Sequence, residues 1–124
     1  MTTAVIEKQE VKVGDIFYTS WGYDQTNVDF FRVIRTSKAS IWVQETGQNT
    51  YGLHARDYWT TVSDGEPLVR EFRDYDTGEV TKTVAPIKVH RIQYDSQGLP
   101  CFTINSYSSA YLWDGTPKHA SDGA

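Results

Sequence analysis

Short runs of β-branched and aromatic residues, some alternating apolar with polar positions, dominate the body of this chain and read as strands. Asp15-Ile16-Phe17-Tyr18-Thr19-Ser20-Trp21 is β-branched and aromatic and follows Gly14, which predicts a first strand. Val28 to Arg35 predicts a second, with Phe31, Val33 and Asp29 on one face and Val28, Phe30, Arg32 and Ile34 on the other. Ile41-Trp42-Val43-Gln44 follows a Thr36-Ser37-Lys38 turn, which makes a hairpin. Two further hairpins are expected. One joins 68–73 to 79–84 around Asp74-Tyr75-Asp76-Thr77-Gly78, and the other joins 87–94 to 101–105 around Asp95-Ser96-Gln97-Gly98-Leu99-Pro100. Pro86 and Pro100 stand at strand starts, where a missing N–H costs least. Residues 53–59 fit either a loop or one helical turn. No window of about eleven residues places apolar side chains at helical spacing.

These elements predict an all-β domain: a small antiparallel SH3-like barrel or β-sandwich built from hairpins, with at most one short helix. At 124 residues the chain accommodates one domain with a core of its own. Residues 1–10 read as a flexible lead-in, 11–117 as the domain and 118–124 as a flexible tail too polar to pack. The segment 46–80 carries no motif.

Composition narrows the function classes. A net charge of −4 without runs of Asp and Glu argues against both a phosphate-tracking surface and a mimic of DNA. Small barrels can still stack bases on aromatics such as Trp21, Trp42 and Tyr23, and basic residues cluster at Arg32, Arg35 and Lys38 and at Lys82, Lys88 and Arg91. The single cysteine, Cys101, excludes an internal disulfide and a cysteine-based zinc site, and fits a reducing cytoplasm. Residues 1–10 do not form a secretory signal, and no stretch has the roughly 18 apolar residues that span a bilayer. A cytoplasmic protein without membrane contact is expected.

Catalytic patterns are sparse. There is no Gly-x-Ser-x-Gly elbow and no phosphate loop, and Cys101 beside Phe102 reads as a buried thiol. Asp74 and Asp76 flank a turn, so turn chemistry explains them better than acid–base work. His54, His90 and His119 are scattered. A metal site built from Asp24, Asp29 and His54 gains no support from spacing. No enzyme, metal or cofactor is expected.

Two segments stand out because 7 of the 17 aromatics fall within them: Trp21, Tyr23, Phe30, Phe31, Tyr107, Tyr111 and Trp113. The first, Ser20 to Phe31, interleaves Trp21 and Tyr23 with Asp24, Gln25 and Asn27, as recognition loops do. The same residues can also close turns and cap a core. In the second, Asn105 to Gly115, Tyr107 and Tyr111 would share a face of a helical turn, and Trp113-Asp114-Gly115 reads as a terminating turn. That segment suits a plug closing a barrel end as well as an interface. The candidate binding residues are therefore Trp21, Tyr23, Asp24, Gln25, Asn27, Tyr107, Tyr111, Trp113 and Asp114.

The block Ser-Trp-Gly-Tyr-Asp-Gln-Thr-Asn-Val-Asp-Phe and the closing Ser-Tyr-x-x-Ala-x-x-Trp-Asp-Gly-x-Pro resemble the signature stretches of a family of small uncharacterised proteins. That family is encoded by bacteriophages, prophages and other mobile elements. The resemblance covers most of 11–117 and implies a setting, a phage accessory protein acting inside a bacterium, with no catalytic residues attached. The expected function is a non-enzymatic module that engages a host bacterial protein, with inhibition of a bacterial defence system as one form. The alternative is a small barrel that binds a nucleotide or nucleic acid. Unguarded edge strands would favour pairing, so a homodimer is among the expected states.

Overall fold

In a computed structural model, residues 9–21, 27–54, 57–105 and 108–121 are described, by backbone alone at 51–54, 57–58, 62–65 and 121. The chain is all-β, with no helix among the described residues. Eleven strands follow in order: β1 Ile16–Trp21, β2 Asn27–Thr36, β3 Ser40–His54, β4 Asp57–Pro67, β5 Val69–Arg73, β6 Val80–Val84, β7 Ile87–Arg91, β8 Gln93–Tyr94, β9 Pro100–Asn105, β10 Ser108–Leu112 and β11 Lys118–Ser121. Nine of them form one antiparallel curled sheet in the order β11-β4-β3-β2-β1-β10-β9-β8, with β7 added to β3, while β5 and β6 form a separate ribbon. No helix among the described residues is long and apolar enough to cross a membrane.

Strand β3 changes partner along its length. Its first part pairs with β2 on one side and with β7 on the other, Ser40↔Arg91 to Gln44↔Ile87. From Thr46 onward it pairs with β4. The hairpin expected between 87–94 and 101–105 is therefore only half realised. Only Gln93 and Tyr94 pair with β9, whereas Ile87–Arg91 belongs to β3. Ile92 alone separates the two pairings, and its N–H extends the first by donating to the Ala39 carbonyl at 2.9 Å. At Ile92 the chain passes from one margin of the curled sheet to the other and draws it into a half-barrel.

The alternation expected in β2 holds through Val33. Phe17 faces Phe31 across β1 and β2, and Val33 faces Val43 across β2 and β3. With Val11, Ile41, Phe102 and Ala110 these inward residues form the main core, against which Phe31, Ile92, Ile104 and Leu112 pack. Phe102 lies at its centre, 5.2 Å from Phe17 and 6.0 Å from Phe31, with tilted and edge-on rings. The opposite face of β1 and β2 is covered too. Val28, Phe30 and Ala120 form a second cluster with Ile16, Tyr18 and Trp113. With both faces covered, a one-residue slip of β2 would bury Asp29 where Phe30 now sits, and that fixes the register.

Other readings change. Residues 53–54 and 57–59 continue the β3–β4 pairing, with His54↔Asp57 as its last pair, because cross-strand bonds satisfy backbone groups that one helical turn would leave open. The segment around Tyr111 is strand β10 rather than a helical turn, paired with β1 on one side and β9 on the other. Lys118–Ser121, read as a loose tail, pairs with β4, and Ala120 is fully buried in the second cluster. Its few apolar atoms suffice because the outer face of β2 is already apolar.

The turns follow the expected chemistry. Asp74 Oδ1 accepts from the Asp76 N–H at 2.9 Å, and Asp95 Oδ1 from those of Gln97 and Leu99 at 2.8 and 3.0 Å. Gly78 and Gly98 take φ values of 72° and 79°, which a side chain would oppose. The ribbon β5–β6 leaves all ten of its residues exposed.

Replacing Phe102 by Ala removes its ring contacts with Phe17, Phe31 and His90 and opens a void in the main core. A loss of about 3–5 kcal/mol in unfolding free energy is expected, measured by urea denaturation.

Candidate binding cleft

The inward positions change character along each strand. From the packed end outward they run Phe17, Thr19, Trp21 on β1; Val33, Phe31, Asp29 on β2; Ile41, Val43, Glu45 on β3; His90, Lys88 on β7; and Phe102, Ile104 on β9. At one end of the half-barrel apolar side chains fill the interior. At the other the same faces carry polar groups, and a cleft of about 930 Å³ opens to solvent. Asn105 and Ser108, at the connection between β9 and β10, complete its wall.

The cleft exists because β7 and β9 diverge. They are tied to a common point at Ile92, and among the described residues no ladder joins them beyond it. Side chains bridge the gap at its base. The His90 ring stacks on Phe102 with centroids 4.5 Å apart and planes 27° from parallel, and it hydrogen-bonds to the Thr103 backbone.

The remaining geometry is built by the first signature block. The Trp21 indole N–H donates to Asp29 Oδ2 at 2.7 Å, which fixes the ring at the rim, where it is 49% exposed. Thr19, the residue before the first block and buried opposite Asp29, donates its hydroxyl to the Ser109 carbonyl at 3.0 Å and so ties β1 to the second block. Asn105 Oδ1 accepts from the Ser108 N–H and hydroxyl at 3.0 and 3.1 Å and shapes the opposite rim.

Glu45 marks the third side. Burial raises its pKa above the ordinary carboxylate value, the Asp29 charge raises it further, and Arg70 and Lys88 oppose the shift. The Arg70 guanidinium reaches it from the ribbon at 3.7 Å, and the Leu68 N–H donates to the Glu45 carbonyl at 2.8 Å, so the ribbon is rooted at the mouth of the cleft. Burial holds the His90 imidazole below its ordinary 6.5; the Thr103 bond opposes this and the Lys88 charge adds to it.

Of the residues singled out in the sequence, Trp21 lines the cleft. Asn27 lies across from Trp21 in the β1–β2 pair. Tyr111 points to the other side of the sheet, opposite Tyr18, and is 47% exposed. Trp113 packs edge-on against Phe30 at 5.4 Å and donates its indole N–H to the Thr116 carbonyl at 2.7 Å. Asp114 accepts from the Thr116 N–H and hydroxyl and pairs with Lys118 at 3.2 Å; these bonds lower its pKa to about 2. The late part of the second block thus seals the second cluster, while its beginning meets the first block at the cleft. Tyr23, Asp24, Gln25 and Tyr107 lie outside the described residues.

Glu45, Lys88 and His90 line the cleft from outside both of the segments that stand out in the sequence. Their signal is positional: a polar side chain where alternation demands an apolar one, at the same end of several strands. Among the described residues no three His, Cys, Asp or Glu side chains converge as metal ligands do. Cys101 is half-buried, and burial together with the Asp95 charge raises its thiol pKa, which disfavours the reactive thiolate. No family model, curated protein or solved structure matches the chain.

The neutral His90 ring is the form that suits its stacked site. A folded-state pKa below the unfolded one contributes stability that is present above 6.5 and lost as pH falls through the lowered value. Glu45 runs the opposite way, its penalty lifting as pH falls through its raised pKa. Wild type should therefore lose stability relative to His90→Gln as pH drops from 6.5, measured by urea denaturation across pH, and NMR should show His90 titrating below 6.5.

Proposed function

We propose that this protein is a non-enzymatic, phage-encoded binding module that engages a host bacterial protein through the open end of its half-barrel. The observation that carries the reading is the cleft itself: the strands separate, polar groups replace the core, and the two signature blocks meet there. Asp29 and Glu45 offer acceptors, Lys88 a donor and Trp21 an aromatic wall, a mixture suited to a polar segment of a partner. An extended segment lying between β7 and β9 would gain main-chain hydrogen bonds from strand edges that do not pair with each other. The phage setting comes from the resemblance of the signature blocks, and blocking a bacterial defence protein is one form such binding would take. The expected partner is a folded host protein that presents a protruding loop or chain end.

A photo-crosslinking amino acid placed at Lys88, which lines the cleft, should trap one host protein in bacterial lysate. The same group at Tyr111, on the opposite face of the sheet, should trap far less of it. Trp21→Ala should weaken binding of that purified partner by about 2 kcal/mol, roughly thirtyfold in Kd. Equal trapping at the two positions, or unchanged affinity in Trp21→Ala, would place the interface elsewhere.

A further inference from the structure

The convex side of β2, β3 and β7, opposite the cleft, has a different chemistry. Its outward positions pair Arg32 with Gln44 and Gln44 with Ile87, then Arg35 with Trp42 and Trp42 with Val89, and finally Ser40 with Arg91. No Asp or Glu occupies an outward position on these stretches, although the chain as a whole has a net charge of −4. The three arginines are exposed, and so are Ile87 and Val89, at 55% and 56%. Lys38, in the β2–β3 turn, adds a fourth exposed cation at the margin of the patch.

Arg35 reaches this face through a defect in the ladder. The register shifts between Val33 and Arg35, so that Arg35 stands opposite Trp42 instead of continuing the inward row of Asp29, Phe31 and Val33. A bulge that re-aims one side chain is a built feature of a sheet. Here it lays the Arg35 guanidinium over the Trp42 ring, 4.5 Å from the centroid. The stacked guanidinium is pre-ordered, so it loses less freedom when it meets an anion.

We infer that this convex face binds single-stranded nucleic acid. The positive patch selects a polyanion, and its planar groups select one that carries rings to stack. Size argues against a duplex. Three strands at about 4.8 Å spacing and five residues at about 3.3 Å rise give a patch of roughly 10 by 13 Å, enough for a few unpaired nucleotides. Three arginines neutralising about three phosphates predict a log–log salt slope of about −2. The site is separate from the cleft and stands or falls independently of the partner proposed there.

The test is a fluorescence-anisotropy titration of the whole protein with a labelled oligothymidylate at several salt concentrations. Expected results are saturable binding at low salt, the slope above, and a loss of affinity on the order of tenfold in Arg32→Gln/Arg91→Gln with the slope flattened to about −0.7. Lys38→Glu, a single change in an exposed turn, should also weaken binding, while Trp21→Ala in the cleft should leave it unchanged. No binding at low salt would overturn the inference. So would undiminished binding by both folded convex-face variants, or equal affinity for polyglutamate of matched charge, which would point to an acidic protein instead. Equal affinity for a duplex of the same length would overturn the single-strand assignment.

Discussion

Residues 87–94 are shared between two margins of one sheet, and the shape of the molecule depends on that division. The backbone groups of Ile87–Arg91 are satisfied by β3, and those of Gln93–Tyr94 by β9. A single residue, Ile92, is left for the crossing. Strands held together at one point and paired to different neighbours must separate away from it. The interior therefore closes near Ile92, where Ile41, Phe102 and Val11 pack, and opens toward Trp21 and Glu45. Polar side chains are tolerated at inward positions only at the open end, where water or a ligand can satisfy them.

The rest of the chain stabilises this arrangement. Both faces of β1 and β2 are covered, the inner by the main core and the outer by Trp113 and the last strand. Gln48 links three strands on the outer side: its amide N–H donates to the Val28 carbonyl at 2.9 Å, and its amide oxygen accepts from the buried Thr60 hydroxyl. The exposed ribbon β5–β6 lacks such support and would be marginal alone. It is held at its root, where Ala85 donates to the Leu68 carbonyl at 2.8 Å and Leu68 donates to Glu45.

Net charge conceals a separation of charge across the sheet. Asp29 and Glu45 face inward at the cleft, while Arg32, Arg35 and Arg91 face outward from the same group of strands. Alternation places the acids on the face opposite Arg32 and Arg91, and the bulge before Arg35 adds it to theirs, so one thin sheet presents two surfaces of different charge. The salt-screening length at physiological ionic strength, about 8 Å, is shorter than a sheet with its side chains, so the charge of one face does not cancel that of the other.

Much of this is legible in the chain. Period-two alternation identifies β1, β2 and the start of β3, and Asp-Gly turn chemistry identifies the ribbon and the β8–β9 turn, because these depend on neighbours in sequence. The tie between β1 and the second signature block is not legible, since the bond from Thr19 to Ser109 spans 90 residues. Nor is the role of Trp113, which looks like an interface residue until Phe30 is found beneath it. By itself the sequence determined the strand class, the turns and which side chains share a face, because alternation and φ preferences are local. Only the tertiary structure decided that Ile87–Arg91 pairs with β3 instead of β9, that the polar tail becomes an edge strand, and that Glu45, Lys88 and His90 surround one cleft. Those outcomes rest on which distant backbone edges satisfy one another's hydrogen bonds, a choice that no local pattern encodes.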